Sequence, residues 1–187
     1  MRAATPIRFE AMHVWQTLLA ILAMGAVVLT SNVLVQYPIN NWLTWGAFSY
    51  PVAFLVSNLV NRRFGPHAAR RVAWAGFALA VLVSVVVATP RIAAASCIAF
   101  ISSQLLDIQV FDRLRIGSWW RAPFIATLCS ATLDTALFWI IAFAGADLPW
   151  ISWAFGDLAV KLGMGIFLLG PFRALINRRR PSGASQP

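Results

Sequence analysis

The feature that most constrains the fold is a gap in the charge pattern. No Asp, Glu, Lys or Arg occurs between Glu10 and Arg62. A helix needs about 20 apolar residues to cross the hydrocarbon core of a bilayer. The gap therefore has room for two crossings, with a turn at the segment 36–38. The first apolar run is long and no small-residue cleavage site follows it, so it is predicted to be a membrane helix and not a signal peptide.

The rest of the chain has the same apolar character. Only 11% of its residues are charged and 60% are hydrophobic, whereas soluble domains carry about 25% charged residues. The sequence predicts an all-α membrane protein with six transmembrane helices in one domain, residues 13–177, after a cytoplasmic lead, 1–12, and before a disordered cytoplasmic tail, 178–187. The predicted helices cover about residues 14–35, 44–61, 72–88, 92–111, 120–144 and 150–172.

The arginines predict the orientation of these helices. If the N-terminus is inside, the outer turns carry only Arg91 and the remaining arginines lie on the inner side. This asymmetry is the positive-inside pattern, so both termini are expected in the cytoplasm of a multi-pass protein of the cell inner membrane. Arginines that meet anionic lipid head groups also account for the net charge of +9. No nucleic-acid partner is predicted, because no basic patch is interleaved with stacking aromatics.

Three charged residues lie inside the last two predicted helices. They are Asp134, Asp157 and Lys161, and each buried charge costs ~2.5–3.5 kcal/mol on insertion scales. Asp157 and Lys161 are four residues apart in the favoured acid-before-base order. Lys161 is therefore predicted to be satisfied by Asp157, Asp134 or both. The residues leave open whether this is a structural ion pair or triad or part of a binding site.

The binding-site alternative is supported by other polar and aromatic residues at membrane depth. Carboxylates accept hydrogen bonds, lysine and carboxamide groups donate them, and aromatic rings can stack on a flat ligand. Such a cavity suits a small planar heterocyclic substrate. The candidate substrate-binding residues are Asn32, Phe48, Tyr50, Asn58, Gln104, Asp107, Asp134, Phe138 and Lys161.

Motifs of catalysis are missing from the sequence. It contains no G-x-S-x-G, no H-E-x-x-H, no Walker A run and no Cys/His spacing typical of a metal site. We therefore expect no enzyme activity, no cofactor, no metal and no ATP hydrolysis by this chain alone.

Several separate blocks fit a known pattern. They include TSNVLVQ (30–36), TWGAFSYP (44–51), FLVSN (54–58), QLLD (104–107), RLR (113–115), LDT (133–135) and Asp157 with Lys161. Together they resemble the queuosine precursor transporters of the vitamin uptake transporter family, over about residues 30 to 177. The resemblance implies uptake of 7-cyano-7-deazaguanine or a related 7-deazapurine. It also implies a fold similar to the substrate-binding subunits of energy-coupling-factor transporters.

The implied ligand has two adjacent N–H donors beside a carbonyl oxygen, which assigns roles to the candidate residues. Asp134 or Asp107 would accept the donors, a side chain among Lys161, Gln104, Asn58 and Asn32 would donate to the oxygen, and Phe48, Tyr50 or Phe138 would cover the ring. Two positions depart from the family pattern, which usually has Asp at Asn58 and an amide residue at Ala131. The first change replaces a carboxylate with a neutral carboxamide, and the second replaces an amide side chain with a methyl group. Both changes reduce the polar contacts that the expected cavity can make.

Two alternative functions remain open on the sequence. One is a substrate-binding subunit of the energy-coupling-factor type that uses a separate ATPase. The other is a non-transporting structural membrane partner, whose polar residues bind another helix. The sequence also leaves open whether the chain forms a homo-oligomer.

Overall fold

The computed structural model describes residues 9–87 and 89–177, without the side chains of 80, 83–87 and 177. The lead before residue 9 and the predicted tail, 178–187, lie outside the described residues. The elements in chain order are α1 (Val14–Leu34), β1 (Pro38–Asn40), β2 (Leu43–Thr44), α2 (Gly46–Ser49), α3 (Pro51–Val87), α4 (Pro90–Leu114), α5 (Arg121–Phe143), α6 (Trp150–Phe167) and α7 (Leu169–Asn177).

The long helix α3 consists of two arms, residues 51–64 and 66–87, that fold back on each other at Gly65. This glycine has φ +84° and ψ 173°, a conformation that costs little only without a Cβ. Phe100 of α4 stacks on Phe77 of the second arm, with ring centroids 5.8 Å apart. The same ring lies 6.3 Å from Tyr50, just before the first arm. The two arms therefore lie side by side, and the chain reverses direction at Gly65.

The predicted loop of residues 62–71 between the second and third helices is wrong, because these residues are helical except for Gly65. Pro66 starts the second arm, where its missing N–H is not needed by the helix. Two of the arginines in this segment have partners outside the helix. Arg62 donates to the Arg115 carbonyl oxygen at 2.8 Å, and Arg63 pairs with Glu10 at 2.7 Å.

A short antiparallel hairpin, β1–β2, precedes α2 and adds two short strands to the predicted helices. Its register places Pro38 opposite Thr44, so the second helix region starts later than residue 44. The hairpin lies across α6, where Trp153 Nε1 donates to the Asn40 carbonyl oxygen at 3.0 Å. Gly156 of α6 lies directly against the backbone of Trp42. The hairpin therefore holds one end of α6 beside α2.

Gly156→Ala is expected to destabilise the protein, because a Cβ there would lie 1.8 Å from the Trp42 carbonyl oxygen. The obstacle is backbone, so the hairpin or α6 must shift. Gly163→Ala on the same helix is the matched control, since a Cβ there meets nothing within 4 Å and alanine favours a helix by about 1 kcal/mol over glycine. Thermal unfolding of the purified protein, followed by tryptophan fluorescence, should show a lower midpoint for Gly156→Ala only. Equal midpoints would contradict this packing.

Helices α4 and α5 are antiparallel and form the centre of the bundle. Near one end, Phe111 packs with Ala122 and Ala126. Toward the other end, Ala95 and Trp139 share a second core cluster. Four segments of the described chain are long and apolar enough to cross a membrane: Val14–Leu34, Pro90–Leu114, Arg121–Phe143 and Trp150–Ile176.

Candidate substrate-binding site

Lys161, the only lysine of the chain, is the centre of a buried cluster. Only 3% of it is exposed. Its Nζ donates to Asp134 Oδ2 at 2.8 Å and to Thr135 Oγ1 at 3.2 Å, and it pairs with Asp157 Oδ2 at 2.5 Å. The prediction that Lys161 is satisfied by Asp157, Asp134 or both is confirmed, and both carboxylates take part.

Helix geometry explains why these groups meet. Asp157 and Lys161 are one turn apart on α6, while Asp134, Thr135 and Trp139 come from α5. Asp157 Oδ2 also accepts from Thr135 Oγ1 at 2.9 Å and from Trp139 Nε1 at 3.3 Å. With all three groups ionised, two carboxylates face one ammonium, and the cluster carries one excess negative charge. It can therefore accept hydrogen bonds from a ligand rich in N–H groups.

The second oxygen of Asp134 joins this cluster to the start of α3 and to α4. Tyr50 donates its hydroxyl to Asp134 Oδ1 at 2.6 Å, and Ser103 Oγ donates to the same oxygen at 3.3 Å. The Tyr50 ring also lies over the Lys161 ammonium, 4.8 Å from centroid to Nζ, in the geometry of a cation–π contact. Asp134 is thus the carboxylate that connects three parts of the bundle.

A cleft opens beside these groups. It encloses about 30 Å³, whereas one water molecule needs ~10–15 Å³. A two-ring ligand therefore fits only after the lining elements separate. The lining residues are Ser31, Asn32, Val35, Gly46, Tyr50, Ser96, Ala99, Asp134, Phe138, Asp157 and Lys161.

Residues 44–89 and 82–176 match the family model described as "Putative vitamin uptake transporter". The chain belongs to this vitamin uptake transporter family. With four apolar helices of membrane-spanning length, it is a multi-pass membrane protein. The family match confirms the resemblance inferred from the sequence blocks.

Curated relatives carry a more specific name. The chain is 34% identical to the "Queuosine precursor transporter" of Escherichia coli K12, over 91% of this chain and 88% of that protein. It is 33% identical to the "Probable queuosine precursor transporter" of Haemophilus influenzae, over 68% of this chain and 66% of that protein. A Bacillus subtilis protein of the same name is 26% identical over 67% of this chain and 68% of that protein. No solved structure matches the chain.

Five of the candidate residues of this vitamin uptake transporter meet at the cleft. Asn32, Tyr50, Asp134, Phe138 and Lys161 all line it. The Asn32 carboxamide oxygen accepts from Ser96 Oγ at 2.7 Å, which orients this side chain toward α4.

The other four candidate residues lie elsewhere. Phe48 is 42% exposed and packs on the Trp45 ring, so it does not line the cleft. Asn58, Gln104 and Asp107 are buried, but they also lie outside the cleft lining. Gln104 and Asp107 follow Ser103 on α4, and only Ser103 reaches Asp134.

The structure adds lining residues that the candidate set omitted. Asp157 was considered as an ion-pair partner only, although its spacing from Lys161 already placed both on one face. Ser31 lies in the TSNVLVQ block and Ser96 lies in none of the blocks, and neither side chain is distinctive, because small hydroxyl residues in apolar helices more often serve helix packing.

Proposed function

We propose that this chain is an inner-membrane importer of a queuosine precursor, a 7-deazapurine such as 7-cyano-7-deazaguanine. The names of the relatives support the substrate. The observation that carries the proposal is the buried cluster of Asp134, Asp157 and Lys161 beside Tyr50 and Phe138 in one narrow cleft. The family is described as transporters and not as enzymes, in agreement with the expectation from the sequence.

The proposed topology has six crossings with both termini in the cytoplasm. The two arms of α3 supply the second and third crossings, and the four apolar segments supply the others. The Gly65 turn, Arg113 and Arg115 then lie on the inner side, as the positive-inside pattern requires. Energy-coupling-factor substrate-binding subunits remain the expected structural analogue.

The ligand contacts follow from the donors and acceptors of the cleft. Asp134 accepts the ring N–H and the adjacent amine of the deazapurine, while Lys161 donates to the neighbouring carbonyl oxygen. Asp157 then keeps Lys161 charged and in place. Phe138 and Tyr50 supply ring faces, and Asn32 supplies a further carboxamide. A site of this kind rejects analogues that lack one group, because its own buried polar atoms lose a partner at ~1–3 kcal/mol each.

The test uses a bacterial strain that can neither make the precursor nor import it. Expression of this chain should restore queuosine in tRNA at limiting external 7-cyano-7-deazaguanine, measured by mass spectrometry of tRNA nucleosides. An empty vector gives the background. Background queuosine with the protein present in the membrane would contradict the proposal and favour a structural membrane partner. Rescue that requires co-expressed ATPase chains would favour the energy-coupling-factor alternative.

A further inference from the structure

A second buried polar cluster lies outside the cleft. This inner cluster consists of Ser57 and Asn58 on α3, Gln104 and Asp107 on α4 and Ser130 on α5, each at most 3% exposed. Within the described part of the chain, no side chain reaches either Asp107 oxygen in a full hydrogen-bond geometry. The same holds for Ser57 Oγ, Asn58 Oδ1, both terminal atoms of Gln104 and Ser130 Oγ. Three helices thus direct unpaired polar groups into the protein interior.

Helix geometry places this inner cluster one turn from the cleft. Ser103 of α4 contacts Asp134 of α5, and these two helices are antiparallel. Asp107 is one turn further along α4 and Ser130 is one turn back on α5, so both lie at the next level of the bundle. The Ser57 side chain lies next to the Asp107 carboxyl group. Ser103 therefore lies at the level of Asp134, and Ser130 lies at the level of Asp107.

No cation balances Asp107 in the described residues. The charged groups on its own helix and on the helices packed against it have other partners or face outward. Asp112 pairs with Arg115, and Arg91 donates to the carbonyl oxygens of Ile141 and Ala144. Arg62 donates to the Arg115 carbonyl oxygen, Arg63 pairs with Glu10, and Asp134 pairs with Lys161. The remaining basic groups of these helices are exposed: His67, Arg70, Arg71, Arg113 and Arg121. An ionised carboxylate buried without a partner is costly, and such a group takes up a proton instead.

We propose that the inner cluster is a proton-binding site, and that Asp107 couples substrate import to the proton gradient. This inference rests on the proposed function. A proton from the outer side binds the Asp107 carboxylate and forms the neutral acid, which is buried in the present conformation. Opening toward the cytoplasm hydrates the cluster, the O–H bond breaks, and the proton leaves to water on the inner side. One proton then moves inward with each substrate.

The test uses purified protein in liposomes with labelled 7-cyano-7-deazaguanine outside. An acidic exterior should raise wild-type uptake and drive internal substrate above the external concentration, and a proton ionophore should remove both effects. Asp107→Asn mimics the neutral acid, so the ratio of its uptake with and without the gradient should fall to about one, whatever its basal rate. Asp147→Asn, at an exposed aspartate, should respond like the wild type.

Two results would overturn the coupling role. One is a gradient response of Asp107→Asn equal to that of the wild type. The other is wild-type net uptake that ignores the gradient although labelled substrate still exchanges for unlabelled substrate, which leaves the proposed function standing. Absence of any wild-type exchange would overturn the proposed function itself. The infrared band of a protonated carboxyl group gives an independent readout. This band should be present in the wild type and lost in Asp107→Asn. Its absence from the wild type would overturn the proton site.

Discussion

Lys161→Met is expected to reduce the stability of the folded protein severely. It leaves Asp134 and Asp157 buried together without a cation, and breaking a buried ion pair by removing one partner costs about 3–5 kcal/mol. Folding in the membrane should fail for much of the expressed protein. The measurement is the fraction that elutes as a monodisperse peak after detergent extraction, together with the thermal midpoint of that fraction.

The control for this substitution is Arg113→Met, which removes an exposed cation at the end of α4 and should leave the elution profile unchanged. Adding Asp157→Asn to Lys161→Met should recover part of the lost stability, because one buried carboxylate charge is removed with it. A coupling energy near zero between these two sites in a double-mutant cycle would show that the ion pair contributes nothing to the fold.

Asp134→Asn is expected to reduce uptake of the deazapurine by about tenfold to a hundredfold, since the lost hydrogen bonds are worth ~1–3 kcal/mol each and 1.4 kcal/mol is tenfold. Unlike Lys161→Met, this variant should still fold. Asp157 and Lys161 remain as a pair without net charge, at 2.5 Å. The measurement is initial uptake rate normalised to the amount of protein in the membrane.

Asp147→Asn is the matched control for the same chemical change, because Asp147 lies exposed between α5 and α6. Its uptake should equal that of the wild type. Equal uptake by Asp134→Asn and the wild type at matched membrane levels would mean that the carboxylate is structural and that the substrate binds elsewhere.

The sequence predicted contacts within a helix better than contacts between helices. The spacing of Asp157 and Lys161 along one helix was sufficient to predict their ion pair. The position of Asp134 inside the neighbouring predicted helix was sufficient to name it as a second possible partner of Lys161. Gln104 and Asp107 were grouped with Asp134 because all are polar at membrane depth. Periodicity shows which residues share a face of α4, but not which neighbouring helix that face meets. Ser103, one residue earlier, is the residue that contacts Asp134.

The prediction of a loop between the second and third helices was wrong because it rested on charge. Four arginines between residues 62 and 71 suggested a solvated loop, yet a single glycine with positive φ completes the reversal. The arginine side chains reach partners such as Glu10 while their backbone stays helical. The hairpin of residues 38–44 had only Pro38 and its polar neighbours as a signal, because two short strands give too little alternation to read. The six crossings, the cytoplasmic termini and an oligomeric state stay predictions.

We expect this chain alone to bind and move a 7-deazapurine through the cleft around Asp134 and Lys161. Counterflow tests this expectation in liposomes that contain the purified chain and no other protein or ATP, loaded with unlabelled 7-cyano-7-deazaguanine. We expect labelled 7-cyano-7-deazaguanine to enter in exchange, saturably, and much faster in the wild type than in Asp134→Asn. Entry of label no faster than into protein-free liposomes would contradict the account.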